Sequence, residues 1–218
     1  MTARGHDRIA VRQKTLLSSV LLSMWGPAAT GLAVARSQSS TQVADFVRRT
    51  VELVALCLSW LVFRHLHRHE ISEAQRCRLE RMAGWGVTVA LGCSGLVMLS
   101  IGVLRLRAPF DPGGNVLIGV TIAALGAMTN GWFWRRYASL NREQPDAIIE
   151  AQRRLYRGKT FVDVCVLTAL GSVALFPGHP VNRYVDGVGM MVVAAYLIWS
   201  SFRSSQTMKA LGTNMLRA

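Results

Sequence analysis

The chain has 218 residues, 51% of them apolar and 19 of them glycine, and its 25 Lys and Arg residues outnumber its 12 Asp and Glu residues. The apolar residues form long runs, which are typical of helices that cross a lipid bilayer and argue against a soluble globular domain. In a soluble protein this basic balance indicates nucleic-acid binding, but here the positive charges lie mainly between apolar runs, so the lipid bilayer, and no nucleic acid, is predicted as partner.

Six apolar runs predict an all-α membrane protein, a bundle of six transmembrane helices. Apart from the short fifth run, each is close to the ~20 residues that a helix needs to cross the hydrocarbon core. The predicted spans are Thr15–Val34, Ala44–Leu66, Met82–Leu104, Asn115–Trp134, Phe161–Phe176 and Val185–Phe202. Pro and Gly residues at 109–114 and 177–180 mark turns between them.

The first run follows basic residues and ends near small residues, as a cleavable signal peptide does. However, it extends over ~19 residues, longer than a usual signal core, so a retained helix is predicted. This run contains Trp25-Gly26-Pro27. Between the fourth and fifth runs, Asn141–Arg157 mixes apolar and charged residues and predicts a cytoplasmic amphipathic helix that leads into the fifth span.

The basic residues predict the orientation of the bundle. With both termini in the cytoplasm, the inside segments hold 18 Lys and Arg residues and the outside loops hold 4. This bias predicts a multi-pass protein of the cell inner membrane with both termini cytoplasmic. The resulting division is a cytoplasmic segment at 1–14, the transmembrane domain at 15–204 and a short cytoplasmic tail at 205–218, without a C-terminal soluble domain.

Two pairs of opposite charges lie in or beside the predicted spans. Arg48 and Glu52 belong to the second span, while Lys159 and Asp163 lie at the start of the fifth. A spacing of four places each pair on one face of its helix. Charged groups in a membrane are costly, usually paired and often functional, so two hypotheses remain open. Glu52 and Asp163 attract a cation or proton with the two basic residues as counter-ions, or all four form a fixed salt-bridge lock.

Three further polar residues are secondary candidates. Asp45 lies one turn before Arg49 and is interpreted as its partner rather than as a ligand. Asn130 is interpreted as a hydrogen-bonding residue between helices. Asp186 is either an outer relay or an acid favoured by a helix N-terminus. The chain contains no nucleophile elbow, HExxH, P-loop or dinucleotide motif, so an enzyme is not expected.

Several short elements follow one another in a characteristic order. They are Ala44-Asp45 with Arg48 and Glu52, Arg78-Leu79-Glu80 before the third span, Asn130 in the fourth, Lys159 and Asp163 before a run of small residues, and Tyr184-Val185-Asp186 opening the sixth. In this order and spacing, the chain resembles the membrane domain of the cation diffusion facilitator, or cation efflux, family over about residues 14 to 212.

The resemblance implies a metal site of four side chains, usually His or Asp, at positions that are Arg48, Glu52, Lys159 and Asp163 here. Arginine has no lone pair to offer, and lysine offers one only after losing its proton. The usual tetrahedral zinc site is therefore not expected, and Glu52 and Asp163 remain as the candidate metal ligands.

The resemblance also implies a function. It implies proton-coupled efflux of a divalent cation (Zn, Fe or Mn) as substrate, with no permanently bound cofactor. It further implies a homodimer, or a heterodimer with a related transporter. The alternative is a transport-inactive relative that acts as a partner or regulatory subunit of a complete transporter, because Arg48 and Lys159 occupy ligand positions.

Overall fold

A computed structural model describes residues 3–37, 40–68, 71–107, 116–175 and 181–215. Within these ranges the regular secondary structure is helical, in seven segments. The helices are α1 (Ala3–Ser23), α2 (Trp25–Ser37), α3 (Ser40–Arg68), α4 (Glu73–Arg107), α5 (Val116–Glu143), α6 (Ala147–Leu175) and α7 (Val181–Met215). Only Met24 separates α1 from α2, so these two helices form one of six spanning units. The predicted all-α, six-span bundle is confirmed.

The first span consists of α1 and α2, with a local break at the single turn residue Met24. The Met24 amide bonds to the Val20 carbonyl at 3.1 Å and the Ala28 amide to the Met24 carbonyl at 3.3 Å, so helical bonding continues on both sides of this residue. Pro27 lies in the first turn of α2, where a missing N–H removes no bond within that helix. The predicted first helix over Thr15–Val34 is therefore present as one span, interrupted only at Met24.

Two helices begin earlier than the apolar runs predict. α4 begins at Glu73 because Ser72 and Gln75 cap each other's backbone amides at 3.4 Å. α6 begins at Ala147 because the Asp146 carboxylate accepts hydrogen bonds from the amides of Ile148 and Ile149.

The amphipathic helix predicted at 141–157 to lead into the fifth span is found from Ala147 onward, as the first part of α6. Residues 141–143 belong to the end of α5 instead. The apolar residues of the segment are core residues. Ile148, Ile149 and Leu155 are at most 1% exposed. Their burial against the bundle holds this segment in line with the span that follows.

The bundle is held by close helix pairs, of which α4 with α7 and α5 with α6 are the most extensive. Gly95 shows how near α4 and α7 approach. A Cβ at this position would lie 2.8 Å from Cγ1 of Ile198 and 3.2 Å from the carbonyl oxygen of Ala194. Glycine is therefore required for this contact, as is common where membrane helices pack through small residues.

One end of the bundle, which we call the basic end, holds the start of α1, the α3–α4 and α5–α6 turns and the end of α7. Here the buried Arg12 donates hydrogen bonds to the carbonyls of Leu140 at 2.8 Å and Gln144 at 2.5 Å. Its guanidinium also lies 3.7 Å from Asp146. Arg12 thus ties α1 to the α5–α6 turn and fixes the first span against the rest of the fold.

Candidate functional site

Glu52 lies at the centre of a charged cluster between α3, α4 and α6. Nη1 of Arg48 is 3.6 Å from Oε1 of Glu52, and Nζ of Lys159 is 3.4 Å from Oε2. The Ser94 hydroxyl of α4 donates a 2.8 Å hydrogen bond to Oε1. Arg48 and Glu52 are each only 6% exposed. Each oxygen of the buried carboxylate therefore faces a positive group, which offsets the cost of removing the charge from water.

Lys159 has a second set of partners, Ser23 at the end of α1 and Tyr156 on α6 itself. Its ammonium lies 3.5 Å from the Ser23 hydroxyl and 5.2 Å from the centre of the Tyr156 ring. The Ser23 and Tyr156 hydroxyls are themselves 3.2 Å apart. An ammonium over an aromatic ring is stabilised even without a carboxylate. Lys159 can therefore move away from Glu52 and keep polar contacts.

Asp163 lies one turn after Lys159 on α6. Asn130 of α5 donates a 2.6 Å hydrogen bond to its Oδ2. Gly126, one turn earlier on α5, leaves room for this carboxylate, because a Cβ there would lie 3.2 Å from Oδ2. Arg48 and Glu52 both interact electrostatically with Asp163. The two carboxylates thus belong to one electrostatic cluster.

A cavity of about 530 Å³ adjoins the cluster. Its walls include the α1–α2 break from Ser23 to Thr30, and it contacts Arg49, Glu52, Asn130 and Lys159. The residues on both sides of Met24 therefore line a space beside the buried charges.

Among the side chains that the structure describes, the cluster has more positive than negative charge. Three cations, Arg48, Arg49 and Lys159, accompany two carboxylates, Glu52 and Asp163. In the described ranges no three His, Cys, Asp or Glu side chains come together as a metal-ligand group. A divalent cation can bind here only after a positive side chain moves away or loses its proton.

The residues singled out in the sequence fall into three groups. Arg48, Glu52 and Lys159 are in contact, and Asp163 is joined to Asn130 beside them. Asp45 and Asp186 belong to α3 and α7, but their side chains lie outside the described part of the structure.

The sequence analysis missed Ser94 and Ser23. A signal for Ser94 was present, because a hydroxyl residue between Gly92 and Gly95 is a polar group within a span of small and apolar residues. The contact of Ser23 with Lys159 has no comparable signal, because it depends on how α1 and α6 pack against each other.

Comparison with known proteins identifies the fold family. The model of the cation efflux transmembrane domain matches residues 16–207, while no match is found among curated proteins.

By length and apolar composition alone, two helical stretches of the described chain could cross a membrane, Arg8–Leu32 and Glu73–Leu104. Buried charges such as Glu52 and Lys159 reduce the hydropathy of other helices. Because one family model accounts for all six spanning units, the chain belongs to the cation efflux, or cation diffusion facilitator, family of membrane transporters.

Proposed function

We propose that the chain exports a divalent cation, with Glu52 and Asp163 as the binding carboxylates and Lys159 as a movable internal counter-ion. The observation that carries this proposal is the 530 Å³ cavity, which contacts Glu52, Lys159 and Asn130 beside the α1–α2 break. A salt bridge that served only to hold α3 and α6 together would not need a cavity through which ions could reach it. Ser23 and Tyr156 offer the Lys159 ammonium a place to move when a cation enters.

The donor atoms around the two carboxylates favour a hard cation. Ser94 adds a hydroxyl oxygen, and Asn130 would add its amide oxygen once its Nδ2 gives up the hydrogen bond that it donates to Asp163. Oxygen donors suit Mn²⁺ better than zinc, which is usually bound through nitrogen or sulfur, and Fe²⁺ lies between them. Among the three metals that the family resemblance implies, Mn²⁺ is therefore the proposed main substrate.

Proton coupling is what the family resemblance implies, and the charge balance of the cluster is compatible with it. Arg48, Arg49 and Lys159 already accompany the two carboxylates in the empty site, so an entering dication adds two positive charges to a buried cluster. Release of a proton from the displaced Lys159 ammonium would remove one of them. We propose that each exported cation is exchanged for protons, with Lys159 again bonded to Glu52 in the empty state.

A second candidate function is that of a transport-inactive partner of a complete transporter. The contacts of both Arg48 and Lys159 with Glu52 favour it, because a pair that never separates is a fixed lock between α3 and α6. In that case the chain contributes a membrane surface and no ion pathway.

Transport by the purified chain in sealed vesicles separates the two functions. We expect uptake of Mn²⁺, and weaker uptake of zinc, driven by a proton gradient. Asp163→Ala and Glu52→Gln should each abolish uptake, while Glu73→Gln on the exposed start of α4 serves as a control for loss of one carboxylate. If the wild-type chain moves no divalent ion under any gradient, the inactive-partner function replaces the transporter.

A further inference from the structure

A second polar cavity lies at the basic end, on the face of α6 opposite to Lys159. It has a volume of about 640 Å³ and separates the start of α6 from the end of α7. Residues 150, 153, 154, 157 and 161 of α6 face it, at the spacing of one helix face. Tyr196, Trp199 and Arg203 of α7 form the other wall.

Positive charge dominates the described lining of this cavity. Its arginines are Arg153, Arg154, Arg157 and Arg203, and its carboxylate is Glu150. That carboxylate is engaged by Arg153 at 2.7 Å and by Arg154 at 3.1 Å. The cavity is therefore an electrostatic site for an anion.

Two buried polar atoms in the cavity wall indicate where the anion binds. Nε of Arg157 and the hydroxyl of Tyr196 are buried and have no hydrogen-bond partner among the residues that the structure describes. The Arg157 guanidinium lies over the Tyr196 ring, 5.7 Å from its centre. Buried donors without acceptors are costly, so a turn of the Arg157 and Tyr196 side chains toward an oxyanion in the cavity would be favourable for both.

The surroundings of the cavity favour a lipid as the source of the oxyanion. Phe161, Trp199 and Phe202 are 46%, 53% and 63% exposed on the outer surfaces of α6 and α7, where they contact the bilayer. Aromatic side chains at this level accompany lipid headgroups, and basic pockets between helices bind anionic headgroups. An acyl chain can lie along these aromatic residues while the phosphate enters the cavity.

We infer that this cavity binds the phosphate of an anionic phospholipid, with Arg157 and Tyr196 as donors and Arg203 as a further positive group. The bound lipid connects α6 to α7 at the basic end. Its phosphate adds negative charge to a described lining in which four arginines face one carboxylate, that of Glu150.

The test uses the full-length chain in detergent and native mass spectrometry after addition of phosphatidylglycerol or phosphatidylcholine. We expect preferential retention of phosphatidylglycerol by the wild-type chain. Arg157→Gln should weaken this binding about tenfold, the size expected for one charge-assisted hydrogen bond. Tyr196→Phe, which removes one hydroxyl, should weaken it less and tests the same site if Arg157→Gln does not fold.

Arg135→Gln is the matched control, because it removes an exposed arginine outside the cavity. It should bind phosphatidylglycerol as the wild type does. The inference is overturned if phosphatidylcholine is retained equally, if Arg135→Gln loses as much binding as Arg157→Gln, or if neither cavity variant loses any. Displacement of the lipid by millimolar inorganic phosphate would show a free-anion site and would overturn the lipid as its occupant.

Discussion

At Glu52, two positive side chains and one hydroxyl contact a single buried carboxylate. Removing one partner of a buried pair usually costs about 3–5 kcal/mol, because the other charge is left without compensation. Here Arg48 stays beside Glu52 when Lys159 leaves, so the cost is smaller. The cluster is therefore arranged so that one of its cations can separate from the carboxylate.

Lys159→Met tests whether the lysine competes with a bound cation. The substitution keeps much of the side-chain volume and removes the ammonium, so Glu52 and Asp163 should bind Mn²⁺ at least about tenfold more tightly. Calorimetric titration with Mn²⁺ measures the change. Lys159→Arg keeps the charge and should bind no better than the wild type. Equal affinity in all three forms would show that the ammonium does not occupy the cation's position.

A double substitution, Arg48→His with Lys159→His, tests whether the four charged positions form one ligand set. Two imidazoles and two carboxylates supply the four nitrogen and oxygen ligands that a zinc ion needs. We expect the double variant to bind zinc more tightly than the parent, with some loss of thermal stability. Titration with zinc of both single variants provides the control. Binding by neither the parent nor the double variant would mean that α3 and α6 do not bring these positions together.

At the scale of the helix, function depends on how closely neighbouring helices pack. α6 presents Tyr156, Lys159 and Asp163 to the charged cluster and a separate arginine face to α7. Any rotation of α6 would therefore move both faces together. The position of α7 is set by its contact with the glycines of α4.

Gly95→Ala should destabilise the bundle, because its new Cβ would overlap Ile198 and approach the backbone of α7. Overpacking of this kind costs about 1–3 kcal/mol, which should appear as a lower melting temperature in detergent. Gly171→Ala is the matched control, since a Cβ added there would meet no neighbouring atom within 4 Å and alanine favours the helix. A Gly95 variant as stable as the Gly171 variant would show that the α4–α7 contact is looser than the 2.8 Å approach implies.

Individual helices were more predictable than the contacts between them. Apolar runs locate the six spanning units because hydropathy is a local property of the chain. The local break at Met24 was missed although Trp25-Gly26-Pro27 follows it directly. The early start of α4 was missed although Ser72 and Gln75 have capping-box spacing.

The contact of Lys159 with Glu52 could not be predicted in this way. Helical spacing pairs residues of one helix, whereas these two lie on different helices. Their distance depends on the depth and rotation of α3 and α6, which packing elsewhere in the bundle determines. The roles proposed for Glu52 and Asp163 therefore remain predictions.

For the whole molecule, the distribution of positive charge predicts the orientation in the membrane. The basic end carries the segments that the sequence analysis places inside the cell, so both Met1 and Ala218 are predicted to be cytoplasmic. The division into residues 1–14, 15–204 and 205–218 follows from the same topology and remains a proposal.

Cysteine labelling tests the orientation. In a background without the native cysteines, Gly113→Cys and Gly178→Cys should react with an impermeant reagent from outside, and Ser205→Cys only after the cells are opened. The two glycines lie outside the described residues, in predicted outer loops. Reaction of all three positions from one side would contradict the topology.

The second prediction at this scale is a dimer formed through membrane helices, either of two copies or with a related transporter. Exposed apolar side chains on the spanning helices provide surface for such contacts. Native mass measurements in detergent and in nanodiscs should find a paired species of the purified chain. Only monomers in both environments would exclude a homodimer and leave the heterodimer.

Under the proposed function, the 3.4 Å contact between Lys159 and Glu52 makes the lysine a tethered competitor of the exported cation. A tethered group on a short flexible chain has an effective concentration on the order of millimolar, so a free ion at micromolar concentration must bind much more strongly to displace it. The apparent affinity for the cation is then the intrinsic affinity multiplied by the fraction of molecules in which the lysine has moved away. Half-maximal transport would therefore require a higher cation concentration than the carboxylates alone would need.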